Sequence, residues 1–246
     1  MLGYDLTTQS LSQCVDEIVT HISSSRRASW LACLNPHSYA VACQDARFRQ
    51  SLRSADWLIP DGVGIVLASM IMRGTIRQRI TGADIFMTLH ARLNDLGGKS
   101  VFFLGASEAT LADIRVRMAE QFPNVRVAGT YSPPFKANYT EAELQDMAMA
   151  INASGADVLW VGMTAPKQEK WIMDNLPALN VRFAGAIGAV FDFFTGRVPR
   201  SSPLFQKLGL EWLPRLMRQP RRLWRRTFVS APVFLSHVLV AAVRGR

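Results

Sequence analysis

Three short segments combine residue types able to do chemistry with the glycines and prolines that end strands and begin helices. They are Cys33-Leu34-Asn35-Pro36, Pro60-Asp61-Gly62-Val63-Gly64 and Gly162-Met163-Thr164-Ala165-Pro166-Lys167-Gln168-Glu169. Asp61 follows an apolar run and precedes two glycines, a position that sets a carboxylate beside exposed backbone N–H groups. Such a carboxylate can act as a general base, or it can cap the helix that follows; the spacing leaves both roles open. In the third segment Pro166 suits a first helical turn, so Lys167, Gln168 and Glu169 either face a crevice with donors and an acceptor, or Lys167 and Glu169 stand as solvated helix charges. Phe103-Leu104-Gly105-Ala106-Ser107 is a strand that stops at glycine before a helix, where backbone amides can approach a phosphate or a sugar hydroxyl.

Other chemistries find less in the chain. Neither Gly105 nor the pair Gly62 and Gly64 is followed by the remaining glycines of a dinucleotide fingerprint, so a nicotinamide enzyme is poorly supported. There is no Asp-x-Asp pair, and His21, His37, His90 and His237 are scattered, which leaves no obvious ligand set for a metal. No metal and no cofactor are expected. Cys14, Cys33 and Cys43 form no C-x-x-C pair, which points to a reducing compartment. Cys33 reads as a small buried residue of a strand before it reads as a nucleophile. If a diphosphate is released, its charge must then be met by cations of the protein, and Arg215, Arg218, Arg221, Arg222, Arg225 and Arg226 supply them.

The elements that must position these groups alternate. Apolar runs at residues 30–34, 57–59, 101–104, 125–128, 158–161 and 181–187 predict buried strands. Helical patterns are expected at roughly residues 8–24, 37–53, 62–74, 83–97, 108–121, 140–153 and 167–176. Strands buried on both faces with helices between them imply an α/β fold with a mainly parallel, doubly wound sheet, and ligands then bind beyond the carboxyl ends of the strands. All three segments fall at such ends.

The formal charge of +9 is confined to the tail: residues 1–196 carry 17 Lys/Arg against 18 Asp/Glu, and residues 197–246 carry 11 against Glu211 alone. A boundary is placed there, giving a core over residues 1–196 and an Arg-rich appendage over residues 197–246. Residues 227–243 are uncharged for 17 residues, short of the roughly 20 that a membrane span needs. Pro232, Ser236 and His237 interrupt this stretch, so it reads as a segment lying at a membrane interface, with a last helix packed on the core as the alternative. The basic block draws it to anionic lipid. Apart from Trp212 and Trp224 that block has no aromatic stacking platform, which speaks against nucleic acid. Residues 1–5 lack the basic and apolar stretches of a signal peptide, and a cytosolic chain is expected.

Taken in order, Pro60-Asp61-Gly62-x-Gly64, Arg79-x-Thr81-Gly82-x-Asp84, Phe103-Leu104-Gly105, Gly162-Met163-x-x-Pro166-Lys167-Gln168-Glu169 and Gly209-Leu210-Glu211-Trp212-x-x-Arg215-Leu216 resemble the WecG/TagA/CpsF glycosyltransferase family over about residues 4–228. The resemblance implies a Rossmann-like core with a membrane-associating helical appendage. The reaction it implies is a metal-independent, inverting hexosyl transfer from a UDP-sugar to a sugar on polyprenyl diphosphate, at the cytoplasmic face of the inner membrane. Asp61 then matches the family's general base, and Gln168 and Asn35 match pocket residues that assist the base or hold substrate. Cys33, Gly62, Arg79, Thr81, Asp84, Gly105, Lys167 and Glu169 fall in the matching substrate stretches. Arg215, Arg222 and Arg225 fall at the spacing of arginines that engage diphosphate. Cys33 is a departure, since many members carry Thr there. The whole-chain pattern is most similar to the exopolysaccharide branch, implying UDP-glucose as donor, glucosyl-diphospho-polyprenol as acceptor and other polysaccharide-assembly enzymes as partners. The alternatives are N-acetylmannosaminyl or N-acetylmannosaminuronyl transfer to an N-acetylglucosaminyl lipid, and a noncatalytic scaffold that binds lipid diphosphate.

Overall fold

A computed structural model describes residues 1–199, Met217 and residues 224–244 of the chain. Its centre is a six-stranded sheet in the order β2-β1-β6-β5-β3-β4, parallel at every pairing. The strands are β1 (Ser29–Leu34), β2 (Trp57–Pro60), β3 (Lys99–Gly105), β4 (Val125–Tyr131), β5 (Val158–Gly162) and β6 (Phe183–Ala186). Each lies on an expected apolar run.

Successive side chains of a strand enter different cores, as the two-residue period of a pleated strand requires. On β5, Leu159 and Val161 enter one apolar cluster while Val158 and Trp160 enter the other. On β3, Phe102 and Leu104 part in the same way from Val101 and Phe103. Helices therefore cover both faces. Residues of α1 (Leu11–Ser24), α5 (Gly82–Leu96), α6 (Glu108–Gln121) and α9 (Val190–Phe194) fill one cluster. Those of α2 (Pro36–Gln44), α3 (Ala46–Ser54), α4 (Val63–Ile71), α7 (Glu141–Ser154) and α8 (Lys167–Asn175) fill the other. The fold is the α/β arrangement with a parallel, doubly wound sheet that the alternation predicts, and it is consistent with the Rossmann-like core that the resemblance implies.

The single helix expected over residues 37–53 is two, because Asp45 stands between them in extended conformation with φ −119°. Its carboxylate accepts the Phe48 N–H and so caps α3, and it also pairs with Lys170 of α8. The break is fixed by a partner more than a hundred residues away in the chain.

A π-helical turn at Arg226–Ser230 leads into α10 (Ala231–Arg244), which packs against α2 and α4. Ser230, Phe234 and Val238, four residues apart, form its buried stripe. Polar contacts tie it down as well: His37 Nδ1 and Ser230 Oγ are 2.8 Å apart, and Tyr39 Oη and His237 Nδ1 are 2.9 Å apart. Residues 227–244 are long and apolar enough to cross a membrane, yet only 17% of that stretch is buried in the fold. Phe228, Val229, Leu235, Leu239, Val240 and Val243 face outward, and Leu67, Met70 and Ile71 of the neighbouring α4 are exposed too.

Candidate active site

The carboxyl ends of the strands open on a cleft of about 1830 Å³. The β1-to-β2 connection runs to one edge of the sheet and the β3-to-β4 connection to the other, so this end is where a doubly wound sheet leaves room for a ligand. Cys33, Asn35, Asp61, Thr81, Gly105, Lys167, Gln168 and Glu169 all line the cleft. Gly62, Arg79 and Asp84 are not part of its lining. Arg225 is exposed at the start of the C-terminal helical segment, while Arg215 and Arg222 lie outside the described residues.

Asp61 does not hold the N-cap position of α4. The N-cap of α4 is Gly62, which has no side chain to offer, and the Asp61 carboxylate turns toward β1. There Asn35 Nδ2 donates to Asp61 Oδ2 at 3.3 Å. The orientation of that amide is fixed by helix capping: Asn35 Oδ1 accepts the N–H groups of His37 and Ser38 at 3.1 and 2.9 Å, which leaves Nδ2 facing the carboxylate. The first turns of α2 and α4 also meet closely, and a Cβ on Gly64 would lie 2.6 Å from Pro36 Cγ. Asn35 and Asp61 are thus brought together from adjacent strand ends by backbone elements with little freedom to move apart.

Glu169 is not a solvated charge of α8: it and the neutral Gln168 beside it are 3% and 4% exposed. The Gly188 N–H donates to Gln168 Oε1 at 3.1 Å, and Gln168 Nε2 donates to Glu169 Oε1 at 2.9 Å. Burial pushes the Glu169 carboxyl up to about 7, against the opposing pull of the Gln168 amide. Lys167 is half-buried, and its Nζ lies 3.6 Å from the centre of the Tyr139 ring while donating to Lys136 O at 2.6 Å. It holds the loop after β4 against α8. Burial lowers its pKa, with a smaller contribution from Lys136.

The Cys33 thiol is pushed well above its ordinary range, first by burial and then by the charges of Asp61 and Glu169. A protonated thiol beside two carboxyl groups is no nucleophile, and it donates weakly to Ala186 O at 3.8 Å. Thr81 and Asp84 form a reciprocal capping box on α5: Thr81 Oγ1 accepts the Asp84 N–H at 3.2 Å and Asp84 Oδ2 accepts the Thr81 N–H at 3.1 Å. Gly105 has φ +110°, and a Cβ there would lie 2.6 Å from Gly162 O, so the ends of β3 and β5 approach only because this residue is glycine.

The loop of residues 132–139 lines the cleft between β4 and α7, and none of the sequence motifs includes it. Its signal was Pro133-Pro134 placed after an apolar strand, with a fully exposed Phe135 at its tip. His37 also lines the cleft and reaches Ser230 of the C-terminal segment. Among the described residues no three His, Cys, Asp or Glu side chains gather in a way that could hold a metal ion. His90 belongs to the core: its Nε2 accepts from Trp160 Nε1 at 3.2 Å, so its proton sits on Nδ1 and goes to Phe86 O at 2.8 Å. Burial takes its pKa down to about 3 and keeps the ring neutral.

The whole sequence is similar to known proteins. The family described as "Glycosyl transferase WecG/TagA/CpsF family" matches residues 1–246. A Bacillus spizizenii protein named N-acetylglucosaminyldiphosphoundecaprenol N-acetyl-beta-D-mannosaminyltransferase is 32% identical over 235 residues, spanning 96% of this chain and 88% of its own length. The Bacillus subtilis protein of the same name is 27% identical, with 94% and 86% covered. One from Staphylococcus aureus strain MW2, again of that name, is 25% identical, with 98% and 92% covered. None of these three names carries a glucosyl group.

Proposed function

Because the chain belongs to the WecG/TagA/CpsF family of glycosyl transferases, we propose that it moves an N-acetylmannosaminyl group from a UDP-sugar to an N-acetylglucosaminyl-diphospho-undecaprenol acceptor. This replaces the UDP-glucose donor and glucosyl acceptor expected from the exopolysaccharide branch, because the relatives' names support the other acceptor and sugar. The observation that carries the chemistry is the Asp61 carboxylate, set at the end of β2, oriented by Asn35 and open to the cleft.

In the proposed step Asp61 takes the proton of the acceptor hydroxyl as that oxygen attacks the anomeric carbon. The bond from that carbon to the UDP oxygen breaks on the opposite face, the configuration inverts, and UDP leaves with the bonding electrons. Asn35 Nδ2 serves Asp61 in its ionised form, because a carboxylate is the better partner for an amide donor. Gly105 and the first turn of α6 offer backbone amides to phosphate oxygens. Arg215, Arg222 and Arg225 supply cations for the diphosphate in a reaction that draws on no metal.

The acceptor's lipid requires a membrane surface, and the outward apolar faces of α10 and α4 support peripheral docking at the cytoplasmic face of the inner membrane. Phe234, Val238 and His237 hold α10 on the core, which favours a helix lying at the interface over one that crosses. Residues 1–196 then act as the transferase core and residues 197–246 as its membrane-facing appendage.

Asp61→Asn tests the chemistry. Single-turnover transfer should slow by roughly 10²-fold or more, the scale of a lost general base, while lipid-vesicle binding stays at the wild-type level. Turnover equal to wild type would favour the noncatalytic scaffold.

A further inference from the structure

We propose that Glu169 binds the reacting sugar directly, its Oε2 exchanging a hydrogen bond with a hydroxyl or acetamido group of a pyranose in the cleft. This rests on the glycosyl-transfer reading and adds to it a residue, an atom and the kind of group that atom receives.

The Gly188 N–H is a donor, so the Gln168 amide must present Oε1 to it, and Nε2 is left to face Glu169. That arrangement occupies Oε1 of Glu169 and leaves Oε2 with no hydrogen-bond partner, although the side chain is 3% exposed. Buried carboxyl oxygens without a partner are rare and costly in folded proteins, and one that lines a cleft is explained by a ligand that completes it. The other buried side-chain polar atom without a partner among the described residues is Trp171 Nε1, on the same helix and the same cleft. Both vacant hydrogen-bonding positions therefore belong to the α8 wall.

The location fits a sugar. Glu169 and Asp61 line the same cleft at the carboxyl ends of the strands, where the reacting carbon and the attacking hydroxyl must meet. A carboxyl with a pKa of about 7 exists in both protonation states near neutrality. It can accept from a hydroxyl or amide N–H, or donate to a hydroxyl oxygen, the two-way bonding that sugars ask for. No charged substrate group is needed to balance it. The ligand can be the sugar of the donor or that of the acceptor, and kinetics separates the two.

The test uses the full chain, UDP-N-acetylmannosamine and a short-chain N-acetylglucosaminyl-diphospho-lipid, with UDP alone as a sugar-free probe. KM for each substrate, kcat and Kd for UDP are measured in wild type, Glu169→Gln and Glu169→Ala. Glu169→Ala is expected to raise KM for one sugar substrate by about 10-fold or more, the scale of a lost hydrogen bond to an ionisable group, with UDP affinity held within about twofold. Glu169→Gln, which keeps the acceptor for Gln168, should fall between. A rise confined to the nucleotide-sugar assigns Oε2 to the donor, and one confined to the lipid assigns it to the acceptor. Unchanged KM values in both variants, or a loss of UDP affinity in step with KM, would overturn the assignment. If Glu169→Ala fails to fold, Glu169→Gln carries the comparison by itself. No transfer by wild type with any pair of substrates would overturn the glycosyl-transfer reading first, and this proposal with it.

Discussion

Replacing Glu169 with Gln should make the protein more stable at high pH and leave it unchanged at low pH. Burial raises the carboxyl from its ordinary 4.5 to about 7, so the folded chain holds this proton where the unfolded chain has released it. Between those two values the folded state binds more protons than the unfolded state, and stability falls as pH rises. The stabilisation is complete below about 4.5 and gone above about 7. Each tenfold change in proton affinity is worth about 1.4 kcal/mol, so the displacement amounts to about 3 kcal/mol. Glutamine keeps the oxygen that accepts from Gln168 Nε2 and has no charge to bury. Urea unfolding followed by tryptophan fluorescence at a series of pH values from about 4.5 to 8.5 reads the difference. The two proteins should share a midpoint at the acid end, and the variant should gain about 1 M in urea midpoint at the alkaline end, for a slope of roughly 3 kcal/mol per molar. Comparing the proteins at each pH cancels every other titrating group. A midpoint difference that stays constant over the range would refute the reasoning, since it would mean that the wild-type carboxyl is already ionised and satisfied when buried.

Four further variants probe other links. Gly105→Ala places a Cβ 2.6 Å from Gly162 O at φ +110° and should cost about 2 kcal/mol or more, lowering Tm by about 5 °C; an unchanged Tm would show that the two strand ends can part freely. Asn35→Asp keeps an oxygen to cap α2 but sets a second carboxylate against Asp61, so Tm should hold within a few degrees while turnover falls about 10-fold or more; equal turnover would remove Asn35 from the orientation of the base. On α10 the two faces should separate. Leu235→Ser with Leu239→Ser should cut recovery on anionic vesicles more than about 10-fold at constant Tm, whereas Phe234→Ala should lower Tm by about 6 °C; vesicle binding unaffected by the double change would move the lipid contact elsewhere.

Much of this architecture was legible because its cause is local. Apolar runs of three to seven residues between helical periods specify strands covered on both faces, and all six appear at their expected places. The cleft followed from the rule that ligands sit beyond strand ends, and it gathers Cys33, Asn35, Asp61, Gly105, Gln168 and Glu169 as that rule requires. What was not legible depends on partners distant in sequence. Asp61 and a capping aspartate look alike until Gly62 is seen to hold the cap position. In sequence, Lys167 and Glu169 fit a solvated first turn as well as a crevice wall; in the fold one is folded over Tyr139 and the other is enclosed with Gln168 beneath Gly188. The break at Asp45 needs Lys170, and the seating of α10 needs Tyr39 and His37, contacts that no local pattern announces. The identity of the sugar is the least legible feature, because a hydroxyl and an acetamido group ask for the same kinds of donor and acceptor.

The central claim is most directly tested by offering the purified full chain a panel of UDP-sugars together with a short-chain N-acetylglucosaminyl-diphospho-lipid, in parallel with its glucosyl counterpart, and identifying the product by mass. The account predicts one product, an N-acetylmannosaminyl-N-acetylglucosaminyl-diphospho-lipid, that still forms with EDTA present and falls at least about 10²-fold with Asp61→Asn. A glucosyl product on the glucosyl lipid, or full activity in the Asp61 variant, would contradict it.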